Sequence, residues 1–258
     1  MPRSQCPHGP SFGRVEPVPR SAPDDPTGRL FSLEADASPL EAVPPLASRG
    51  IGSICSWDYM LNISEKKSQI RELFIQKRKA FGETACRRNS RKIEKQVLAS
   101  SEFALANVIH IYLSDRFEVK TDSLIEESLR LGKRIVVPVL SEKEPTLSEI
   151  FDLHSAHFQS SILQVREPHP QFVKRVLPEE VELWIIPAVA YDTMGHRLGR
   201  GGGYYDRLLE VCSKKIICLA FEFQCAESFP LEKTDRNVDM IITENRTIIV
   251  GEKQNAAD

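Results

Sequence analysis

Short apolar runs of strand length, separated by segments with helical spacing, constrain the fold of this chain more than any other feature. Runs such as KRIVVPVL (residues 133–140) and KIICLAF (215–221) are far shorter than a membrane span and are typical of buried strands. Segments at residues 64–81, 83–101 and 121–132 have apolar residues at helical spacing. The alternation predicts an α/β fold, a single Rossmann-like three-layer domain with a largely parallel sheet.

Other segments extend the same pattern. Further strands are predicted at residues 107–113, 147–153, 182–192, 238–243 and 246–250, and a further helix at 204–212. Ligands of parallel sheets bind at the carboxyl ends of the strands. The strand at 182–192 runs directly into a glycine-rich loop, so we expect this loop to lie at the ligand-binding edge.

The first 59 residues have a different composition. They contain ten of the 17 prolines and no lysine, and they show no helical or strand period. We expect residues 1–59 to be a disordered, proline-rich extension and residues 60–258 to be the folded domain. Met60 begins a segment that resembles a normal protein start, so one hypothesis is that the extension reflects an upstream start site or is dispensable.

Composition narrows the class of partner. The net charge is −2, and residues 60–258 carry 29 basic and 29 acidic residues, so a broad nucleic-acid-binding surface is not expected. Six cysteines without a CxxC pair favour reduced thiols. The chain is therefore expected to be a cytoplasmic protein with no membrane or nucleic-acid partner, and a monomer.

The glycine-rich loop at residues 191–209, YDTMGHRLGRGGGYYDRLL, indicates the chemistry. Glycines let backbone N–H groups approach a ligand closely, and the loop opens into a helix whose first N–H groups are free. Arg197 and Arg200 lie between the glycines, and guanidinium groups bind phosphate oxygens in pairs. Asp206 follows in the first helical turn, where a carboxylate is able to hold Mg²⁺. A polyphosphate site is the favoured interpretation.

Known phosphate motifs do not settle the matter. The Walker A pattern needs Lys-Ser or Lys-Thr after its last glycine, and the dinucleotide pattern needs glycine where Tyr204 stands. Glycine-rich loops with arginine are also common on solvated surfaces. A plain flexible loop therefore remains an alternative at the level of residue chemistry.

The segment RLGRGGGYYDR, residues 197–207, resembles the nucleotide-binding motif of the 5-formyltetrahydrofolate cyclo-ligase family, also called 5,10-methenyltetrahydrofolate synthetases. The resemblance extends over about residues 64–250. It implies ATP as co-substrate and Mg²⁺ as its metal ion. The ATP-binding residues implied by this motif are Arg197, Leu198, Gly199, Arg200, Gly201, Gly202, Gly203, Tyr204 and Tyr205.

The segment KKSQIR resembles the family's K-x-x-x-R helix and implies that Lys67 and Arg71 bind the phosphates. These two residues are four apart and share one helix face. The neighbouring basic residues of this helix are interpreted as a solvated face. They are Lys66, Lys77, Arg78 and Lys79.

The resemblance also implies which residues contact the folate and the metal ion. The strand and loop at residues 111–120 resemble the family's folate-binding unit, which implies that Leu113 and Glu118 contact the folate. KTDRNVDMIITE resembles the closing motif of the family, which implies that Asp239 joins Asp206 at the magnesium ion. In the same comparison Asp235 is interpreted as a turn residue.

The reaction implied by the resemblance closes 5-formyltetrahydrofolate into 5,10-methenyltetrahydrofolate through a phosphorylated formyl group. Arg200 and Tyr204 are the predicted catalytic residues, with Tyr204 also facing the substrate. Three alternatives remain: a non-catalytic folate- or nucleotide-binding protein, a nucleic-acid-binding protein that uses the Arg-Gly loop, and a sugar-phosphate isomerase or kinase on a related scaffold.

Overall fold

The computed structural model describes residues 63–140, 144, 146–161, 165–210 and 212–251. The predicted extension, residues 1–59, lies outside them. The described α-helices are α1 (Ile63–Phe81), α2 (Glu83–Leu98), α3 (Ser101–Leu105), α4 (Asp122–Arg130) and α5 (Tyr204–Leu208). All four predicted helical regions are present, with differences at their ends.

Those differences have local causes. The helix predicted at 83–101 ends at Leu98, because Ser100 starts a new helix by accepting a hydrogen bond from the Phe103 amide (3.3 Å). Thr121 precedes α4 as expected, but its hydroxyl donates to the Tyr112 carbonyl (2.7 Å) rather than capping the helix. Thr121 thereby fixes the loop that follows the first strand of the sheet.

Eight of the described strands form one sheet in the order β12-β11-β10-β7-β1-β2-β3-β6. The five central strands are parallel; they are β11, β10, β7, β1 and β2. The other three, β12, β3 and β6, pair antiparallel at the two edges. Two short hairpins, β4–β5 and β8–β9, lie outside this sheet. The strands are β1 (Val108–Ile111), β2 (Arg134–Val139), β3 (Thr146–Ile150), β4 (Phe158–Ser160), β5 (Arg166–Pro168), β6 (Lys174–Val176), β7 (Leu183–Pro187), β8 (Ala190–Tyr191), β9 (Arg197–Leu198), β10 (Lys215–Leu219), β11 (Met240–Ile242) and β12 (Thr247–Ile249).

Both faces of the parallel strands are buried, which explains why these strands are continuously apolar in sequence. Helices α2, α3 and α4 cover one face, with Ile93 and Leu124 packing on Ile109 and Ile185 among others. On the opposite face, α5 and long connections cover alternate residues such as Trp184. The predicted α/β class with a largely parallel sheet is therefore confirmed.

Helix α1 packs mainly outside these two layers, although Phe81 at its end packs against the first of them. Its buried residues Lys67, Phe74 and Arg78 lie seven and four positions apart, so they form one stripe along the helix. Phe74 packs on Val189 and Leu198 at the β8–β9 hairpin that follows β7. The helix is thus fixed beside the carboxyl ends of the parallel strands, where a ligand site is expected.

Candidate active site

An apolar slot opens at the carboxyl ends of three adjacent parallel strands. It encloses about 110 Å³, and its exposed lining is almost entirely apolar. Leu113 follows β1, Pro138 and Leu140 mark the end of β2, and Pro187 ends β7. The buried carboxylate of Glu118 is the one acidic group in its lining, within the part of the chain described here. The slot suits a flat, largely apolar ring with few polar contacts.

A second, larger cleft of about 480 Å³ lies next to the slot and is polar. It lies between the start of α1, the glycine-rich loop and residues 232–236. Basic residues outnumber acidic ones in its lining, so the cleft suits a polyanion. Its basic residues are Lys67, Arg71, Arg197, Arg200, Arg207, Lys233 and Arg236, and its acidic residues are Asp206, Glu210, Glu232 and Asp235.

The two depressions share a wall made of Gly199, Arg200 and Tyr205. A ligand in the slot and a ligand in the cleft would therefore meet at Arg200. Burial opposes the charge of this guanidinium, but Glu118 and Asp115 outweigh that effect and raise the Arg200 pKa. Arg200 thus stays charged at the point where the two sites join.

The glycine-rich loop takes its shape from a tight hairpin and from backbone that favours glycine. Asp192 accepts hydrogen bonds from the amides of Met194 (2.9 Å) and His196 (3.0 Å), which closes the β8–β9 turn. Gly195 has φ +88°, and a Cβ there would lie 2.8 Å from Val250. Glycine is therefore required at this turn by both backbone conformation and space.

Gly201 combines a left-handed backbone with close packing under a guanidinium. Its φ is +100°, and an added Cβ would lie 3.4 Å from Arg71. Arg71 in turn donates from Nε to the Gly199 carbonyl (2.9 Å). Helix α1 is therefore tied directly to the loop, and Arg71 lies against the backbone that the sequence predicts to bind phosphate.

Lys67 occupies the other end of the cleft as a buried cation. Its Nζ donates to Asp235 (2.6 Å) and Glu232 (2.7 Å), and its side chain is only 3% exposed. Burial by itself lowers the Lys67 pKa, but the hydrogen bonds to Asp235 and Glu232 outweigh burial and raise it. Two carboxylates thus neutralise Lys67 where the oxygens of a phosphate could replace one of them.

Asp206 lies beside Arg197 on the floor of the cleft. Arg197 donates from Nη2 to Asp206 (2.8 Å), and its guanidinium lies 5.6 Å from the centre of the Tyr205 ring. The Arg197 side chain is 2% exposed, whereas that of Asp206 is 30% exposed. Arg197 therefore fixes the carboxylate, and Asp206 keeps an accessible side toward the cleft.

The two tyrosines after the glycines have different positions. Tyr204 lines the polar cleft and donates its hydroxyl to the Thr146 carbonyl (2.8 Å), so the structure does not place it in the slot as the sequence predicts. Tyr205 lines both depressions. Burial raises the Tyr205 pKa well above its usual value, so this phenol stays neutral. The wall of the slot is formed by Tyr205, which sequence reasoning assigned to the nucleotide alone.

Asp239, predicted to hold magnesium with Asp206, lies elsewhere. It precedes β11, and its carboxylate accepts a hydrogen bond from the Ile216 amide (2.8 Å) and pairs with Lys215 (3.3 Å) at the amino end of β10. It does not line the cleft. Asp235, four residues earlier, does line the cleft. The chain passes from the cleft to the sheet between Asp235 and Asp239. The structure thus brings Asp235, not Asp239, into the same cleft as Asp206.

Arg78 was also misjudged from the sequence. The sequence indicates a solvated basic face there, but the Arg78 side chain is 5% exposed and pairs with Asp115 (3.2 Å). Its spacing from Lys67 and Phe74 places the three on one helix face, but this spacing alone does not show that the face is buried as far as Arg78. Lys66, Lys77 and Lys79 are not among the buried residues of α1.

Neither a fully protein-bound metal centre nor a membrane-spanning helix is found in the described part of the chain. Among the residues that the structure describes, no group of three or more His, Cys, Asp or Glu side chains has the arrangement of a metal centre. Magnesium that arrives with phosphates uses only one or two carboxylates of the protein, and Asp206 and Asp235 are among the acidic residues that line the cleft. No helix within the described segments has the length and hydropathy needed to cross a bilayer.

Comparison with known proteins identifies the family. The sequence profile of the 5-formyltetrahydrofolate cyclo-ligase family matches residues 63–244. The chain belongs to this family. The match covers α1, the slot, the glycine-rich loop and Asp235, and it ends just after β11. The prediction of an enzyme of the cyclo-ligase family is thereby confirmed.

Individual relatives agree with the family match. A probable 5-formyltetrahydrofolate cyclo-ligase of Caenorhabditis elegans is 27% identical over 202 residues, which is 74% of this chain and 98% of the relative. The Escherichia coli K12 cyclo-ligase is 33% identical over 150 residues, 55% of this chain and 80% of the relative. The solved structure of 5,10-methenyltetrahydrofolate synthetase from Aquifex aeolicus has a TM-score of 0.64 at 29% identity, covering 74% of this chain and 96% of that one.

Proposed function

We propose that this cyclo-ligase family member uses Mg·ATP to convert 5-formyltetrahydrofolate into 5,10-methenyltetrahydrofolate, releasing ADP and phosphate. The observation that carries the proposal is the shared wall of the two depressions, Gly199, Arg200 and Tyr205. An apolar slot for a pterin and a basic cleft for a triphosphate meet there. The reaction joins one atom of each substrate, so it needs this kind of junction.

The chemistry follows from the weak reactivity of a formamide. In the first step the formyl oxygen on N5 attacks the γ-phosphorus, an O–P bond forms, and the bond to ADP breaks. N10 then attacks the activated formyl carbon and loses its proton, while the C–O bond breaks and phosphate leaves. The carbon keeps its hydrogen and becomes the methenyl bridge. Neither step needs a nucleophilic side chain, so the protein's main tasks are positioning and charge neutralisation.

The basic residues of the cleft supply that neutralisation. Lys67 and Arg71 on α1 and Arg197 and Arg200 on the loop surround the cleft, so they bind the triphosphate together with the backbone of the glycines. Lys67 exchanges a carboxylate partner for phosphate oxygens. Such an exchange keeps the buried ammonium paired throughout, which avoids leaving a charge unsatisfied.

The carboxylates of the cleft hold the metal ion that accompanies ATP. Asp206 has an accessible side, and Asp235 is freed when Lys67 turns to phosphate. When bound, Mg²⁺ neutralises phosphate charge and orients the γ-phosphoryl group. Asp206 and Asp235 thus replace the predicted pair of Asp206 and Asp239.

The slot orients the folate. Leu113 and the strand-end prolines provide apolar contact for the pterin, and Glu118 accepts hydrogen bonds from ring N–H groups of the kind a reduced pterin presents. Tyr205 closes the slot toward the cleft. In this arrangement the formyl group points toward Arg200, where the phosphoryl group arrives.

The test is methenyl absorbance formed by the purified full-length chain with 5-formyltetrahydrofolate, ATP and Mg²⁺. We expect a signal that requires all three, together with one ADP released per methenyl group. Binding of both ligands without turnover would instead support a non-catalytic binding protein. ATP hydrolysis at a rate that does not depend on 5-formyltetrahydrofolate would support the kinase alternative.

A further inference from the structure

The loop between β1 and α4, residues 112–121, carries the folate contacts and is held closed by its own acidic side chains. Asp115 accepts hydrogen bonds from the amides of Phe117 and Glu118, both at 2.8 Å. The Asp115 amide donates to the Glu118 carboxylate (3.0 Å). The loop geometry therefore requires two carboxylates in close proximity, and their repulsion must be offset by nearby cations.

Two guanidinium groups offset this repulsion. Arg200 pairs with Glu118 at 2.8 Å and also with Asp115. Arg78 pairs with Asp115 at 3.2 Å and lies 3.6 Å from the Glu118 carboxylate. Lys120 also contributes, but its ammonium donates to the Asp115 backbone carbonyl rather than to either carboxylate.

These two arginines have different freedom to move. The Arg200 side chain is 42% exposed and belongs to the glycine-rich loop, so it is able to turn toward phosphate in the cleft. Arg78 is 5% exposed, belongs to α1, and also donates from Nε to the Phe117 carbonyl (3.1 Å). Arg78 is therefore the guanidinium that stays with the loop when Arg200 engages phosphate.

Helix α1 also links Arg78 to the phosphate cleft. The same helix places Lys67 and Arg71 in the phosphate cleft, and its stripe of buried residues continues to Arg78. Lys67 and Arg78 are eleven positions apart, which corresponds to about 16 Å along the helix axis at ~1.5 Å per residue. One rigid element thus connects the phosphate cleft with the loop that carries Glu118.

We propose that Arg78 is a positioning residue, not a catalytic one, which keeps Glu118 directed into the slot while Arg200 binds phosphate. It acts on the folate through Glu118 and makes no contact with the slot itself. This inference rests on the proposed function, because it assigns Arg78 a part in orienting that reaction's folate. It predicts a defect specific to the folate rather than to the nucleotide.

The experiment compares Arg78→Ala, Arg78→Lys and Lys77→Ala in the full-length chain, with methenyl absorbance as the readout. We expect Arg78→Ala to raise the KM for 5-formyltetrahydrofolate about tenfold, with a change below about twofold for Mg·ATP, because the ion pair with Glu118 and the charge-assisted hydrogen bond to Asp115 that hold the loop are both lost. Arg78→Lys should recover part of the loss, since it restores the charge but not the fork. Lys77→Ala, on the exposed side of the same helix, is the matched control and should behave as wild type.

A double-mutant cycle separates positioning from a merely structural role. If Arg78 acts through Glu118, the folate KM of Arg78→Ala combined with Glu118→Gln should equal that of Glu118→Gln alone. Additive losses, or a lower kcat with both KM values unchanged, would overturn the proposal. If Arg78→Ala does not fold, the same cycle with Arg78→Lys decides between these outcomes. Absence of methenyl formation in the wild type and in Lys77→Ala would instead count against the proposed function.

Discussion

The slot and the cleft differ in how the chain builds them. Three strand ends far apart in sequence form the slot, with Leu113, Pro138 and Pro187 brought together by the sheet. The cleft depends mainly on one contiguous segment, residues 197–207, with α1 and residues 232–236 around it. The position of the slot is therefore determined by the order of the strands, and that of the cleft by a short sequence motif.

This difference has a functional counterpart. In the proposed reaction the slot would select the folate by its shape and a single carboxylate, so substitutions in the slot should weaken folate binding. In the proposed reaction the cleft would neutralise charge that moves during phosphoryl transfer, so substitutions in the cleft should lower turnover as well. Arg200 lines both regions, so variants of Arg200 test the distinction between slot and cleft most directly.

The largest effect is expected at the shared wall and the cleft floor. Arg200→Ala and Asp206→Ala should each lower kcat/KM for methenyl formation about 10²-fold or more, because each removes a charged group from a preorganised site. Steady-state kinetics with either substrate varied would measure this. Unchanged turnover in both variants would show that the chemistry lies somewhere other than this junction.

A second pair of variants tests which aspartate serves the metal ion. Asp235→Asn should raise the Mg²⁺ concentration needed for half-maximal activity about tenfold, since a neutral amide is a weaker ligand for this ion. Asp239→Asn should leave that concentration unchanged, because Asp239 binds the Ile216 amide outside the cleft. The measurement is a magnesium titration at fixed ATP, and the reverse pattern would restore the prediction made from sequence.

The two regions should also separate by substrate. Glu118→Gln is expected to raise the folate KM about tenfold and to leave the KM for Mg·ATP near its wild-type value, while Arg71→Ala should do the opposite. Substrate-binding measurements by calorimetry would check the kinetic assignment. Equal effects of both variants on both substrates would mean that slot and cleft are not distinct sites.

The smallest effect concerns stability of the sheet beneath the slot. Full burial lowers the His110 pKa to about 3, so the native state does not take up the proton that the unfolded chain binds near pH 6.5. Native stability should therefore fall with decreasing pH, by about 1 kcal/mol between pH 6.5 and pH 5.5. Denaturant unfolding of wild type and His110→Phe measures this, and an equally steep fall in the variant would assign it to other groups.

Several parts of the site followed from sequence because they are local. Glycines and arginines within residues 197–203 are fixed relative to one another by a few peptide bonds, and the structure places all of them in the cleft. Lys67 and Arg71 share a helix face for the same reason. The apolar runs of the parallel strands likewise identified the sheet, because burial on both faces leaves no polar alternation.

Other parts did not follow because they depend on long-range contacts. Nothing local distinguishes Asp235 from Asp239, and only the path of the chain from the cleft to the start of β11 separates them. Arg78 resembles its solvated neighbours until the loop carrying Asp115 packs against it.

The sequence by itself therefore determined the fold class, the family resemblance and the position of the glycine-rich loop, which rest on neighbouring residues and on periodic burial. Only the tertiary structure decided which carboxylate enters the cleft, that Tyr205 rather than Tyr204 closes the slot, and that Arg78 is buried. The physical reason is that a charge or a ring acquires its role from its partners in space. Such a partner is often far away along the chain, as Asp115 is from Arg78 with a separation of 37 residues.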